Sequence, residues 1–401
     1  MDDNRRHYGG WVAGYFGALF LIHGIHLPFL PVWLAGRGLD ASAIAVVTAA
    51  PFLLRLVVSP AVALMADRSG RHRDGIVALS CLAAVLAILL PAANGFAAIL
   101  LVCVALTLAT TSIMPLIEVV ATAGVRAHGL VYGHMRLWGS LSFIVASLIA
   151  AAALDVLGSE VIAPLMAGAA LVTALVATRL PHPPGPAPGV GPTAQAAPRW
   201  RDVAGLIGTP AFAALLVASG SVQAAHATYY TYSALHWSAQ GHDGIVIGAL
   251  WTLGILAEIA LFAVAGRVVG RLGPVALLAI AGVAAVVRWT AMAFDPPLGV
   301  LAGLQLLHAA TFAAAHLGAI GFIAEAVPQR LAGTAQALHA TVGMGVAMGA
   351  ATLVAGQLYA SFAAGAYFGM AALAVVALIA TAFLARCWQR GHGLSGQAGT
   401  V

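Results

Sequence analysis

Twelve long apolar runs follow one another along the chain, at 11–34, 41–66, 75–93, 96–122, 134–155, 160–179, 210–237, 244–265, 275–294, 297–324, 334–362 and 366–386. Short polar turns separate them. Each run is near the ~20 residues that an α-helix needs to cross the hydrocarbon core of a bilayer. Soluble chains do not sustain such a series. The pattern predicts an all-α polytopic membrane protein with twelve transmembrane helices in two six-helix bundles. Most runs also hold Gly, Ala, Ser, Thr or Pro, which let membrane helices approach closely or bend.

The polar exceptions inside the runs say more than the runs themselves. Arg55, Glu118, Arg136, Glu258 and Arg288 interrupt long apolar stretches. A charge at the bilayer centre costs about 2.5–3.5 kcal/mol on insertion scales, so such residues normally face a watery cavity and carry function. A polar pathway through the membrane is the expectation.

Composition agrees and adds orientation. The chain is 62% hydrophobic and 8% charged, which leaves few charges outside the turns. All 18 basic residues are arginine. With the N-terminus in the cytoplasm, Arg5, Arg6, Arg68, Arg71, Arg73, Arg126, Arg179, Arg199, Arg201, Arg267, Arg271, Arg330, Arg386 and Arg390 fall on the inner side. Arg37 alone falls clearly outside. The positive-inside rule therefore predicts a multi-pass inner-membrane protein with both termini cytoplasmic. The pI near 9.4 is a topology signal rather than a nucleic-acid footprint, because no basic cluster is interleaved with stacking aromatics. The first run is too long for a signal-peptide core and is expected to stay as the first helix. Cys81, Cys103 and Cys387 fall in spans or at the cytoplasmic end, with neither a disulfide framework nor zinc spacing.

Residues 181–198 read PHPPGPAPGVGPTAQAAP, a stretch that behaves as a semi-flexible linker. It divides the chain into an N-terminal bundle over 1–180, a linker over 181–205 and a C-terminal bundle with a short tail over 206–401. Two tandem halves with a binding site near the midplane are a common transporter plan. The turn after the second run contains Asp67-Arg68 and Gly70-Arg71, and a matching basic turn at Gly266–Arg271 follows the eighth. Such loops can cap helix ends and tie neighbouring helices together as a gate. The first loop resembles the signature of the major facilitator superfamily. Asp67, Arg68, Gly70 and Arg71 match that pattern, Ala63 replaces its leading glycine, and His72 stands where a fixed positive charge is usual. With twelve runs and a central linker, the resemblance covers essentially the whole chain.

The candidate site residues lie along helix faces. His23 and His26 share one face of the first helix. Glu118 and Arg136 lie on antiparallel neighbours and are expected to meet across their seam. Gln223, His226 and Tyr230 form a polar-aromatic stripe on helix 7. Trp251 and Glu258 are seven residues apart on helix 8, and Arg288 is on helix 9. Gln305, His308, Phe312 and His316 lie along a broad face of helix 10, with Gln336 and His339 on helix 11. Glu258 with Arg288 and the histidines makes a proton-handling group, since a carboxylate's proton affinity changes as a cation approaches or leaves. Arg136 or Arg288 can hold a carboxylate in a bidentate pair. Phe143, Tyr230, Trp251 and Phe312 can enclose a ring.

A closer resemblance follows from particular segments: Gly14-Tyr15-Phe16, Leu27-Pro28-Phe29, Arg136-Leu137-Trp138-Gly139-Ser140, Ala225-His226-Ala227, Ala257-Glu258, Val287-Arg288-Trp289 and Leu307-His308. In this order they look like the phenylpropionate permease family. That resemblance implies proton symport of an aromatic monocarboxylate. The chain is also remotely similar to galactoside–proton symporters, with Glu118, Arg136, Glu258 and Arg288 at matching positions. Phe143 stands where those carriers have a sugar-stacking tryptophan.

The expected activity is secondary transport by alternating access, not catalysis. A proton gradient supplies the energy in place of a cofactor, and the partners are protons, a small organic anion and the bilayer, with the chain as a monomer. Glu258, Glu118, His308 and His316 are the candidates for proton coupling. His23, His26, Arg136, Phe143, His226, Tyr230, Trp251, Arg288 and Phe312 are those for substrate. A sugar, nucleoside or drug carrier is the alternative. A membrane metalloenzyme using His226, His308 and His316 is a remote one, and the chain has no HExxH motif or Cys/His cluster to favour it.

Overall fold

The computed structural model describes residues 2–183, 200–389 and 393–394. The centre of the Pro/Gly-rich linker lies outside the described residues. Those described are helical, with no strand among them. Among the described residues eleven helical stretches are long and apolar enough to cross a membrane. The last of these, Gln329–Cys387, is 59 residues long, more than two crossings of ~20 residues require. It turns at Ala363, whose φ of 46° breaks the helix, so two crossings are housed in it.

By compactness the chain divides into two units. The first comprises Met1–Pro192 and Thr231–Thr252, the second Thr193–Tyr230 and Leu253–Val401. The sequence placed all of 206–401 in one bundle, whereas Thr231–Thr252 groups with the first unit. Two contacts show why. Asp155 accepts from the backbone N–H groups of Gly244 and Ile245 at 2.5 and 3.1 Å, and the Tyr232 hydroxyl donates to the Ala41 carbonyl at 2.7 Å.

The first unit is built from α1 (Asp2–Gly36), α2 (Ala41–Ser69), α3 (His72–Leu89), α4 (Gly95–His128), α5 (Tyr132–Leu157) and α6 (Ile162–Thr178). Helix α1 packs against α5 and α6, and α3 against α4 and α6. Asp40 caps α2 by accepting from the Ala43 N–H, and Gly70 ends that helix with a φ of 68°. Polar groups on the packed faces are paired. Tyr8 donates to the Val120 carbonyl at 2.7 Å, and Thr173 to the Ala18 carbonyl at 2.9 Å. The crossing of α1 over α5 depends on Gly24, where an added Cβ would sit 2.5 Å from the Phe143 carbonyl oxygen. Gly24→Ala is therefore expected to push these helices apart and lower stability by about 1–3 kcal/mol, the usual cost of overpacking. Thermal unfolding of the purified variant beside the parent checks this.

The helices after the linker, in the second unit except for Thr231–Thr252, begin with α7 (Trp200–Gly208), α8 (Pro210–Ala224) and α9 (Ala227–Ala239). Then come α10 (Gly244–Ala263), α11 (Ala265–Leu272), α12 (Pro274–Met292), α13 (Leu298–Leu306) and α14 (Ala315–Ala326). Helices α15 (Ala332–Thr341), α16 (Met348–Phe362) and α17 (Ala366–Cys387) complete the chain. Helix α12 packs on α14 and α17, and α17 on α8. Phe212, Leu215, Leu278, Phe322, Ile323 and Trp388 are in one buried core.

Three of these crossings are irregular, each beside a buried histidine. The seventh breaks between α8 and α9. There the His226 N–H turns to the Gln223 carbonyl, and the His226 ring, through Nδ1, takes the Val222 carbonyl that an unbroken helix would have used. In the tenth, a π-helical turn at Ala309–Ala314 follows His308. In the eleventh, another at Val342–Ala347 follows His339. Single π-turns inside α-helices are frequent at functional sites.

Candidate functional site

The second unit holds a connected polar cluster centred on Arg288. This residue is fully buried on α12. Its guanidinium donates to His308 Nδ1 at 3.1 Å, to Thr311 Oγ1 at 3.1 Å and to Gln305 Oε1 at 2.9 Å. It also lies over the rings of Tyr229 and Trp289, at 4.7 and 4.5 Å from their centroids. A buried arginine is tolerable when its donors are spent and its charge faces aromatic clouds or a carboxylate. The carboxylate is Glu258, whose Oε2 stands 3.5 Å from His308 Nε2.

These contacts decide where the ring protons sit. Arginine has donors and no acceptor, so His308 must accept at Nδ1 and carry its hydrogen on Nε2, facing Glu258. While the Arg288 bond holds, His308 is a neutral bridge between the cation and the carboxylate. His226 has the other tautomer. Its Nδ1–H donates to the Val222 carbonyl at 3.0 Å, so Nε2 accepts from the Thr311 hydroxyl at 3.0 Å. Thr311 in turn accepts from Arg288. A directed chain thus runs from Arg288 through Thr311 and His226 into the break of the seventh crossing. Among the described residues the Arg288 Nε has no hydrogen-bond partner.

Rings surround the cluster. Phe312 stacks on His308 with centroids 5.4 Å apart and planes 10° from parallel. Tyr230 stacks on His226 at 5.4 Å, and Trp289 meets it edge-on at 5.1 Å. The structure therefore joins Arg288, His308, Glu258, His226, Tyr230 and Phe312, as the helix faces suggested. His316 is outside the hydrogen-bond network, and its ring contact is with Phe262 at 6.4 Å. The π-turn explains this: the wider turn moves everything beyond it off the face that plain helical spacing assigned. Trp251 is buried in the part of α10 that groups with the first unit. Gln305, which spacing put on the His308 face, joins the cluster, and Thr311 and Tyr229 are site members that spacing did not single out. Thr311 sits in an alanine-rich run and carries no sequence signal of its own.

The other candidates lie in the first unit. Glu118 is exposed and accepts from the Tyr132 hydroxyl at 3.0 Å. The Arg136 guanidinium lies over the Phe20 ring at 4.1 Å and near Phe16 at 5.8 Å. His23 stacks on Phe20 at 5.3 Å and binds the Leu19 carbonyl, while His26 reaches Thr107 Oγ1 at 3.2 Å. Phe143 is buried behind the Gly24 crossing. In the loop after α2, Asp67 is held by His72 at 2.8 Å and Arg71 by Asp74 at 2.7 Å, while Arg68 is exposed. The tie to a neighbouring helix end is made by Arg73, which donates to the Thr178 and Leu180 carbonyls beyond α6 at 2.7 and 2.6 Å. Among the described residues no group of three or more His, Cys, Asp or Glu is placed to hold a metal ion.

Membrane crossings in two units, with a buried cation–histidine–carboxylate row, define a membrane transporter. The family model described as "MFS_1 like family" matches residues 13–370, and the chain belongs to that family of major facilitator transporters. It is 30% identical over 374 residues to a probable 3-phenylpropionic acid transporter of Escherichia coli, covering 92% of this chain and 96% of the other. It is 30% identical over 359 residues to a maltose permease of Geobacillus stearothermophilus, covering 88% of each. A crystal structure of a mutant nucleoside transporter, NupG, shares the fold with a TM-score of 0.80 at 15% identity, covering 95% of this chain and all of that one.

Proposed function

We propose that this chain is a proton-coupled symporter of a small aromatic monocarboxylate such as 3-phenylpropionate. It sits in an inner membrane with both termini cytoplasmic, a reading that the arginine distribution supports. One observation carries the reading: a fully buried arginine, walled by aromatic rings, keeps an unspent Nε donor. Nε together with Nη2 is the side-on edge that a carboxylate takes in a bidentate pair. The rings of Tyr229, Tyr230, Trp289 and Phe312 suit an aryl tail. The likeness to a probable 3-phenylpropionic acid transporter points the same way.

Charge balance supplies the coupling. With Glu258 ionised, its charge offsets that of Arg288 through neutral His308, and an incoming anion meets no net attraction. Protonating Glu258 leaves the cluster with a net positive charge that favours a carboxylate. Bound anion in turn favours the proton on Glu258, because linkage is reciprocal. One proton then travels with one carboxylate, and the loaded cluster is neutral again. A neutral load is what a site crossing a low-dielectric membrane requires. The loop Asp67–Arg71 is assigned the gate, with His72, Asp74 and Arg73 holding it.

A sugar remains the second reading, favoured by the exposed Glu118 carboxylate beside the Tyr132 hydroxyl and by the likeness to a maltose permease. Uptake of labelled 3-phenylpropionate into proteoliposomes decides between them. Accumulation driven by an inside-alkaline gradient is expected. Uptake that ignores the gradient would remove the proton coupling. No uptake of the acid, with maltose or uridine accumulated instead, would remove the aromatic cargo.

A further inference from the structure

His339 on α15 differs from the other buried histidines of the second unit. It is 3% exposed, and among the described residues its Nε2 has no hydrogen-bond partner. Both ring nitrogens of His226 and of His308 are spent. The other nitrogen of His339, Nδ1, stands 3.1 Å from Ser219 Oγ on α8. Ser219 commits its own hydrogen to the Leu215 carbonyl at 2.8 Å. His339 Nδ1–H therefore donates to Ser219, and Nε2 is left as a bare buried acceptor, aimed at nothing that fills it. Leaving such a group unpaired costs about 1–3 kcal/mol, so its persistence calls for a use.

The surroundings give that use a direction. Next to the pair, α8 and the π-turn approach so closely that a Cβ on Gly220 would lie 3.4 Å from the Gly343 Cα, and one on Gly343 would lie 3.3 Å from the Gly220 Cα. Of the elements packed on α15, α14 carries His316, α8 presents Ser219, and the π-turn presents Gly343. Glu325 and Arg330, at the ends nearby, are exposed. His316 lies on α14, which packs against α15. In the orientation set by the arginines, His316 lies about two turns inward of His308, and His339 about two turns into a helix that starts from the cytoplasmic side.

We infer that His339 is a further proton-accepting residue, taking up at Nε2 the proton that leaves Glu258 and releasing it to the cytoplasm. The inference rests on the proton-coupled reading of the cluster. The proton balance is simple: the Glu258 carboxyl becomes carboxylate, neutral His339 becomes imidazolium held by Ser219, and loss of the Nε2 proton restores the start. Glu258 is then free to be recharged from the other side.

The test uses the full-length protein in proteoliposomes with labelled 3-phenylpropionate, or with maltose or uridine where one of those is the cargo. His339→Gln keeps a donor for Ser219 and cannot titrate. It is expected to lose about tenfold in accumulation driven by an inside-alkaline gradient, while substrate counterflow, which needs no net proton release, stays within about twofold of the parent. Unchanged accumulation would overturn the inference, and so would equal loss of both activities, which marks a structural role. If His339→Gln does not reconstitute, Ser219→Ala replaces it, since it strips the partner of Nδ1 and leaves the imidazole. A shift in the pH midpoint of uptake is expected there, and an unmoved midpoint overturns the inference. A parent insensitive to the gradient would instead defeat the proton coupling itself, which keeps the two failures distinct.

Discussion

Glu258→Gln is expected to hold its cargo without needing a proton and to fail to accumulate it. The amide has nearly the shape of the carboxyl and no charge, so it copies the protonated state. Through neutral His308, Arg288 then sees no opposing charge at any pH. Binding of 3-phenylpropionate is expected to become independent of pH. At high pH, where the parent carries an ionised Glu258, affinity should exceed that of the parent. A coupling free energy of about 1–3 kcal/mol corresponds to a change of about 5–150-fold. Counterflow should persist, and gradient-driven uptake should fall to the level of simple equilibration. Binding by calorimetry across pH, beside uptake with and without a gradient, measures both. A variant that still accumulates cargo against its gradient would clear Glu258 of the proton.

Arg288 should be the least replaceable residue of the cluster. It satisfies His308, Thr311 and Gln305 at once, from a planar fork enclosed by Tyr229 and Trp289. Removing one member of a buried charged network costs about 3–5 kcal/mol, because its partners are left unpaired. Arg288→Met is therefore expected to weaken cargo binding by more than a hundredfold and to lower thermal stability. Arg288→Lys keeps the charge but not the fork. An ammonium group cannot reach Gln305 and Thr311 in the same plane and still offer a side-on pair to a carboxylate. Lysine should recover stability in part and binding hardly at all. Equal recovery of both would mean that Arg288 serves only as a counter-charge. Binding and unfolding measured on the same preparations separate the two roles.

The two variants probe different ends of one row. In Glu258→Gln the anion site is retained and the gradient response lost, whereas in Arg288→Lys the proton site is retained and the anion lost. That contrast distinguishes a coupled pair from a merely structural one, in which both variants would fail alike.

Much of this was legible in the amino-acid order. Crossing a bilayer demands about twenty apolar residues in a helix, because no water satisfies an exposed backbone there. The run lengths therefore specified the crossings, and the arginine turns carried the proposed orientation. Charges are so costly in that setting that Glu258 and Arg288 stood out without any fold in hand. Regular helical spacing also aligned His226 with Tyr230 and His308 with Phe312. Tertiary structure alone decided the rest. The face of helix 10 that spacing extended to His316 ends at a π-turn, which no local propensity announces. The pairing of Arg288 with Thr311 and Gln305 depends on how α12 packs on its neighbours, and Thr311 is silent in an alanine-rich run. Asp155 joins Thr231–Thr252 to the first unit through backbone N–H groups that carry no side-chain signature. Which nitrogen of His339 carries the hydrogen is decided by Ser219, which arrives from another helix. Sequence sets which residues must be inside a membrane; only packing sets which of their polar atoms meet.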